Sequence, residues 1–187
     1  SFIVYSGGEP VFVDAGVGTY TKKTFSDQRY TIWSMRSGYH NLPLINGCEQ
    51  KYGRCYHSTN ESVDLEKQTC EMEISGAWEK EAGLLSFVRR AGICDHAVII
   101  TDTIRTDRPS EIDFHFLAYP ECEKIEEGKV RLNAGKILEY PKELTLEIEN
   151  FTGDDDTIRN GWKLDHLVRL HLRASGVSEG SFRFVIR

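Results

Sequence analysis

The chain has 187 residues, 40% of them hydrophobic and 28% charged, with a formal net charge of −6. That is the size of one domain, with enough apolar material for a real core. The acidic balance argues against nucleic acid, whose phosphates need a basic face, and no apolar run reaches the length of a membrane span, so neither is expected as a partner.

Residues 1–5 already read as a strand, with no initiator Met and no signal-peptide pattern, so the expectation is a fragment of a longer protein cut at a domain boundary. Ser6-Gly7-Gly8 marks the first turn, and Phe12-Val13-Asp14-Ala15-Gly16 reads as a strand running into a second. An aromatic strand over residues 29–35 leads to Tyr39-His40-Asn41. The short apolar strand that follows ends in Asn46-Gly47, with Gln50 just beyond. Residues 75–82 are the only segment that reads as a helical turn. Then Ile112, Phe114, Phe116 and Ala118 share one face, with Asp113, His115, Leu117 and Tyr119 on the other.

Leu144, Leu146 and Ile148 alternate with Thr145, Glu147 and Glu149. The Asp154-Asp155-Asp156 run reads as a solvated loop, because the alternating ligand spacing of calcium loops is missing. In the next strand His166, Val168, Leu170 and Leu172 form an apolar face. Asp165, Arg169, His171 and Arg173 look like a charged solvent face. Ser178-Glu179-Gly180 reads as a turn before the closing strand of Phe182, Phe184 and Ile186. Many short strands with period-two patterning make the expected fold all-β: one large antiparallel two-sheet β-sandwich over residues 1–187, with few or no helices.

Cys48, Cys55, Cys70, Cys94 and Cys122 form no Cys-x-x-Cys pair. An odd count without regular spacing reads as reduced thiols, a Cys48 to Cys55 bridge across a hairpin being the main exception.

Taken in order, Val13-Asp14-Ala15-Gly16-Val17-Gly18-Thr19-Tyr20, then Ser37-Gly38-Tyr39-His40-Asn41, Asn46-Gly47 and Gln50 resemble the C-terminal β-domain of the heparinase II/III-like polysaccharide lyases. The resemblance implies a supersandwich-like fold, a strand over residues 97–102 that ends in a turn aspartate, Asp102, and a bacterial source, cytoplasmic or periplasmic. It also implies a missing N-terminal α/α-toroid as the partner domain. The implied activity is β-elimination on a uronic-acid polysaccharide, of glycosaminoglycan or alginate type. That reaction removes a weakly acidic proton from C5 of the uronate. It needs the neighbouring carboxylate neutralised, a base within reach, and an acid for the leaving oxygen.

On this reading His40 and Asn41 form the catalytic corner, with Tyr39, Arg36 and Gln50 contacting substrate. The toroid supplies the main acid and base, so the chain alone is expected to be inactive. His40 either hydrogen-bonds or protonates a substrate group, or binds a structural zinc through a neutral imidazole, with His115 as a second metal candidate. His96 and His57 are lesser candidates. Tyr52, Tyr56, Trp33 and Trp78 are the aromatics available for stacking on sugar rings, and Arg29 is a further carboxylate contact. Two rival readings remain: a non-catalytic carbohydrate-binding or packing module, and a cupin-like metalloenzyme, against which the missing His-x-His counts.

Overall fold

The period-two patterning becomes twelve strands among the residues that the computed structural model describes, 1–153 and 155–187. In chain order they are β1 (Val4–Ser6), β2 (Glu9–Phe12), β3 (Pro43–Ile45), β4 (Thr59–Asp64), β5 (Thr69–Glu73) and β6 (Leu84–Cys94). β7 (Ala97–Ala118), β8 (Glu123–Glu126), β9 (Lys129–Arg131), β10 (Ile137–Glu139), β11 (Thr145–Phe151) and β12 (Leu167–Ile186) complete the set. A single α-helix among the described residues, α1 (Asp156–Trp162), joins β11 to β12.

β7 and β12 are 22 and 20 residues long and pair antiparallel along almost their whole length, from Val168 opposite Ala118 to Ile186 opposite Val98. The outer neighbours change halfway. β6 flanks the first half of β7, whereas β3 and β2 flank the second. β11 flanks the first half of β12, and β10 pairs with its end. The register shifts between Ala174 and Val177, and again between Val177 and Glu179, which bends the ribbon at its middle. Phe114 of one half then lies 5.0 and 5.1 Å from Phe182 and Phe184 of the other, and Phe116 lies 4.9 Å from Phe184. The two layers of the sandwich are thus one branched sheet folded across its own ribbon.

The core between the layers holds Phe12, Phe87, Phe114, Phe116 and Phe184 with Ile45, Ile100, Ile104 and Ile112. The face of β7 that carries Asp113, His115 and Leu117 points the other way. Leu117 joins Val13, Ala15 and Leu167 in a second cluster, against which Trp33 and Trp162 pack. That outer face is where the polar chemistry collects.

Several expectations are corrected. Residues 29–35 form 3-10 turns, Arg29–Thr31 and Trp33–Met35, and not a strand: Trp33 packs on Phe151 of the sheet, while Tyr30 turns outward to stack on Tyr52. Ser178-Glu179-Gly180 lies within β12, its irregularity absorbed as bulges. Asp102 is not a turn residue. It sits mid-strand, fully buried, with Arg89 opposite. Asp155 caps α1 by accepting bonds from the Thr157 and Ile158 amides, and Lys163 at φ +56° ends the helix, so that acidic stretch is not merely a loop. Asp154 lies outside the described residues. The 75–82 segment does form two 3-10 turns, Ser75–Ala77 and Lys80–Ala82. All five cysteines are free thiols, so no Cys48 to Cys55 bridge exists. Among the described residues no helix is long and apolar enough to cross a membrane.

Candidate substrate cleft

The segment before His40 is pinned by its aromatics. Trp33 and Tyr39 meet edge-on at 5.5 Å, both pack against Phe151 of β11, and the Arg169 guanidinium lies 4.4 Å from the Tyr39 ring centre. Asn41 fixes the other side. It is fully buried, and its amide donates to the Phe2 carbonyl (2.6 Å) and the Val13 carbonyl (2.9 Å). Its side-chain oxygen accepts from the Leu117 amide at 2.6 Å. Its own carbonyl accepts from Arg89, whose remaining nitrogens form a two-pronged pair with Asp102 at 2.6 and 2.7 Å. A buried polar group held this fully fixes its neighbours.

His40 therefore leaves the corner in one direction, into a cleft of about 620 Å³. Its Nδ1 lies 2.8 Å from Asp14 Oδ2, and its Nε2 lies 3.2 Å from the Ser34 carbonyl. Both partners are acceptors, so only the imidazolium satisfies both at once. Burial would raise the Asp14 pKa. The hydrogen bond and charge of His40, the Gly16 amide and the Ser1 hydroxyl outweigh that and hold the carboxyl well below the usual range.

Arg36 and Gln50 line the same cleft, as do Tyr30, Tyr52, Glu49, Lys51 and Glu79. The Gln50 amide donates to Ser37 Oγ at 2.8 Å, tying the far wall to the turn Ser37–Tyr39. Tyr30 and Tyr52 stack at 3.8 Å with both rings exposed. Arg36 forms a two-pronged pair with Glu49 (2.7 and 3.3 Å), and Lys51 pairs with Glu79 at 3.1 Å. The cleft thus offers cations to an anionic ligand, but each has an acidic partner to displace.

Of the residues expected at the site, His40, Arg36 and Gln50 converge. Tyr39 and Asn41 do not line the cleft; they hold the segment that carries His40. His57 is exposed with Nδ1 on the Arg54 carbonyl, and His96 occupies a hairpin turn at φ +60°. Asp14, Glu49, Lys51 and Glu79 escaped sequence reasoning. Asp14 was legible as a turn aspartate, but nothing local pairs it with a histidine 26 positions away.

A second cluster lies on the outer sheet face. His171 is buried, not on a charged solvent face. It stands directly across from His115, with Nδ1 3.1 Å from Asp113 Oδ2 and Nε2 3.1 Å from Glu149 Oε2. Burial opposes charge on His171, but its bonds to Asp113 and Glu149 prevail and raise its pKa. Burial would likewise raise Asp113. The close approach of His115 and the bonds from His171 and Arg173 overcome this and hold it far below the ordinary carboxylate value. His115 and His40 do not share a set of donors. At His40 the donors are His40 and Asp14, and among the described residues the one group of three or more convergent ligands is Asp113, His115 and His171.

No family model matches the sequence, and no curated protein matches it. Solved structures do. A heparinase III aligns over 98% of this chain with a TM-score of 0.70 at 14% identity, and a second heparinase III crystal structure at 0.67 and 14%. The heparan sulfate lyase HepC from Pedobacter heparinus aligns over 98% at 0.68 and 8% identity. The chain spans 28% of the length of the two heparinase III structures and 29% of HepC. Its all-β architecture is the fold of one sub-domain of these heparinase structures.

Proposed function

We propose that the chain is the β-domain of a polysaccharide lyase that acts on an acidic, uronate-containing polysaccharide by β-elimination. The observation that carries this reading is the convergence of His40, Arg36 and Gln50 on one cleft, in a fold shared with heparinase III structures. In the reaction a base removes the C5 proton, the C4–O bond breaks, and the double bond forms between C4 and C5. The departing oxygen collects a proton. His40 as imidazolium would stabilise the negative charge that develops on the uronate carboxylate, with Asp14 orienting the ring. Arg36 would bind that or a neighbouring acid group by exchanging Glu49 for it. The Tyr30 and Tyr52 pair presents a flat apolar wall suited to a sugar ring. The acid and base that finish the reaction would come from a companion toroid domain, so this chain alone would be inactive.

A second reading, a non-catalytic glycan-binding or packing module, draws support from one fact: both ring nitrogens of His40 already face protein acceptors. The test is the longest natural form of the protein, wild type and His40→Ala, on a panel of uronate polysaccharides. The ultraviolet absorbance of the unsaturated uronate reports turnover. The lyase reading expects kcat/KM to fall roughly a hundredfold in the variant, about 2.7 kcal/mol of transition-state stabilisation. Turnover that survives the substitution demotes the domain to binding or packing.

A further inference from the structure

We propose that Asp113, His115 and His171 form a binding site for one divalent transition-metal ion of the zinc class, separate from the His40 corner. The ligand atoms of the three side chains lie within 4.8 Å of one another, and both histidines are buried. Two buried atoms in the group have no hydrogen-bond partner, His115 Nε2 and Asp113 Oδ1. His115 Nε2 does approach Asp113 Oδ2 at 3.1 Å, but off the line of a hydrogen bond. An unpartnered ring nitrogen on a residue only 3% exposed is costly, and such groups need a partner.

The outer contacts fit a metal site as well. His115 Nδ1 donates to the Gly38 carbonyl at 2.7 Å, which puts the ring proton there and leaves the lone pair on Nε2, toward Asp113. His171 Nε2 donates to Glu149, leaving Nδ1 on the side of the same carboxylate. Metal-bound histidines are held in this way, one nitrogen on an acceptor and the other on the ion. Two imidazoles and a carboxylate are a ligand set that suits zinc, with the fourth position left for water. Arg173 and Arg169 are tied to Glu147 and Glu149 and frame the cluster. Arg173 also donates at 3.0 Å to Asp113 Oδ2, the oxygen that both imidazoles approach at 3.1 Å, while Oδ1 has no hydrogen-bond partner. Asp113 keeps 23% side-chain exposure, which gives the ion a way in from solvent. The site would brace the turn that carries His40, because His115 and Arg169 both hold the Gly38 carbonyl. It stands whether or not the chain serves a lyase.

The test strips the protein of metal with a chelator, removes the chelator and titrates with Co²⁺, then with Zn²⁺. The expected result is one Co²⁺ per chain with the visible bands of four- or five-coordination, displaced by Zn²⁺. His115→Ala and His171→Ala should each weaken binding at least tenfold, whereas His40→Ala leaves it unchanged. To keep the test independent of how well variants at this buried face fold, imidazole nitrogen resonances of the wild type are followed in parallel. Those of His115 and His171 should shift on Zn²⁺ addition. Absence of stoichiometric uptake, or resonances that stay put, would mean a metal-free hydrogen-bonded network and overturn the proposal. So would thiolate charge-transfer bands, or binding lost in His40→Ala and kept in His115→Ala, which place the ion elsewhere.

Discussion

Asn41 commits every polar atom of its side chain to backbone groups of three separate segments, Phe2, Val13 and Leu117. Its replacement by Ala strands two carbonyls and an amide, those of Val13 and Leu117 in the buried interior. We expect Asn41→Ala to cost about 3 kcal/mol in urea denaturation, far more than a turn-forming surface Asn would. A loss below about 1 kcal/mol would mean water reaches those groups. Thiol chemistry offers a second check at this scale. Cys55 and Cys94 are exposed, while burial pushes the Cys122 thiol up to about 12. Alkylation of the native protein should modify Cys55 and Cys94 first and Cys122 last, as read by mass spectrometry. The His40 corner was legible in the sequence because its residues are contiguous. Its partner Asp14, and the pairing of His115 with His171, depend on which strands meet, and one sequence does not encode that locally.

Among elements, β5 and β6 are joined by more than their ladder. Glu73 accepts from the Ser75 and Phe87 amides at 2.8 and 2.9 Å and from the Ser86 hydroxyl at 2.7 Å. Burial would raise its pKa, but these bonds prevail and bring it below the ordinary 4.5. A depressed folded pKa means the contribution is fully present above the unfolded value and is lost as pH falls through the folded one. Wild-type stability should therefore drop more steeply than that of Glu73→Gln between about pH 5 and pH 3. Equal slopes in the two proteins would rule this carboxylate out as the cause. One strand further in, Arg89 and Asp102 stand opposite each other, both buried. Arg89→Met leaves a charged carboxylate without its partner and should destabilise the fold by about 3–5 kcal/mol, measured by denaturant midpoint. Alternation made the strands of this region readable. The arginine in it hid the burial, because a charged residue on a strand usually signals solvent.

For the whole molecule, the sequence supported an all-β sandwich and one domain-sized core but divided both long strands. Polar and glycine residues at 176–180 look like a turn when local signals alone are weighed, yet they bend a continuous strand. Amides where residues 114–116 pair with residues 170–172 should exchange with solvent only on global unfolding, and those of α1 first, in native-state hydrogen exchange. Protection that instead falls into two independent blocks would argue for separable layers. The outermost strands are guarded by composition: β4 reads Thr-Asn-Glu-Ser-Val-Asp and β8 Glu-Lys-Ile-Glu, charged edges that resist pairing with a neighbour. The folded ribbon has a further consequence for heredity. Each layer borrows half of its central pair from strands that also build the other, so neither layer can be exchanged between relatives on its own. A recombination joint inside residues 97–186 would mix two halves of one ribbon, and viable chimeras should inherit this stretch whole.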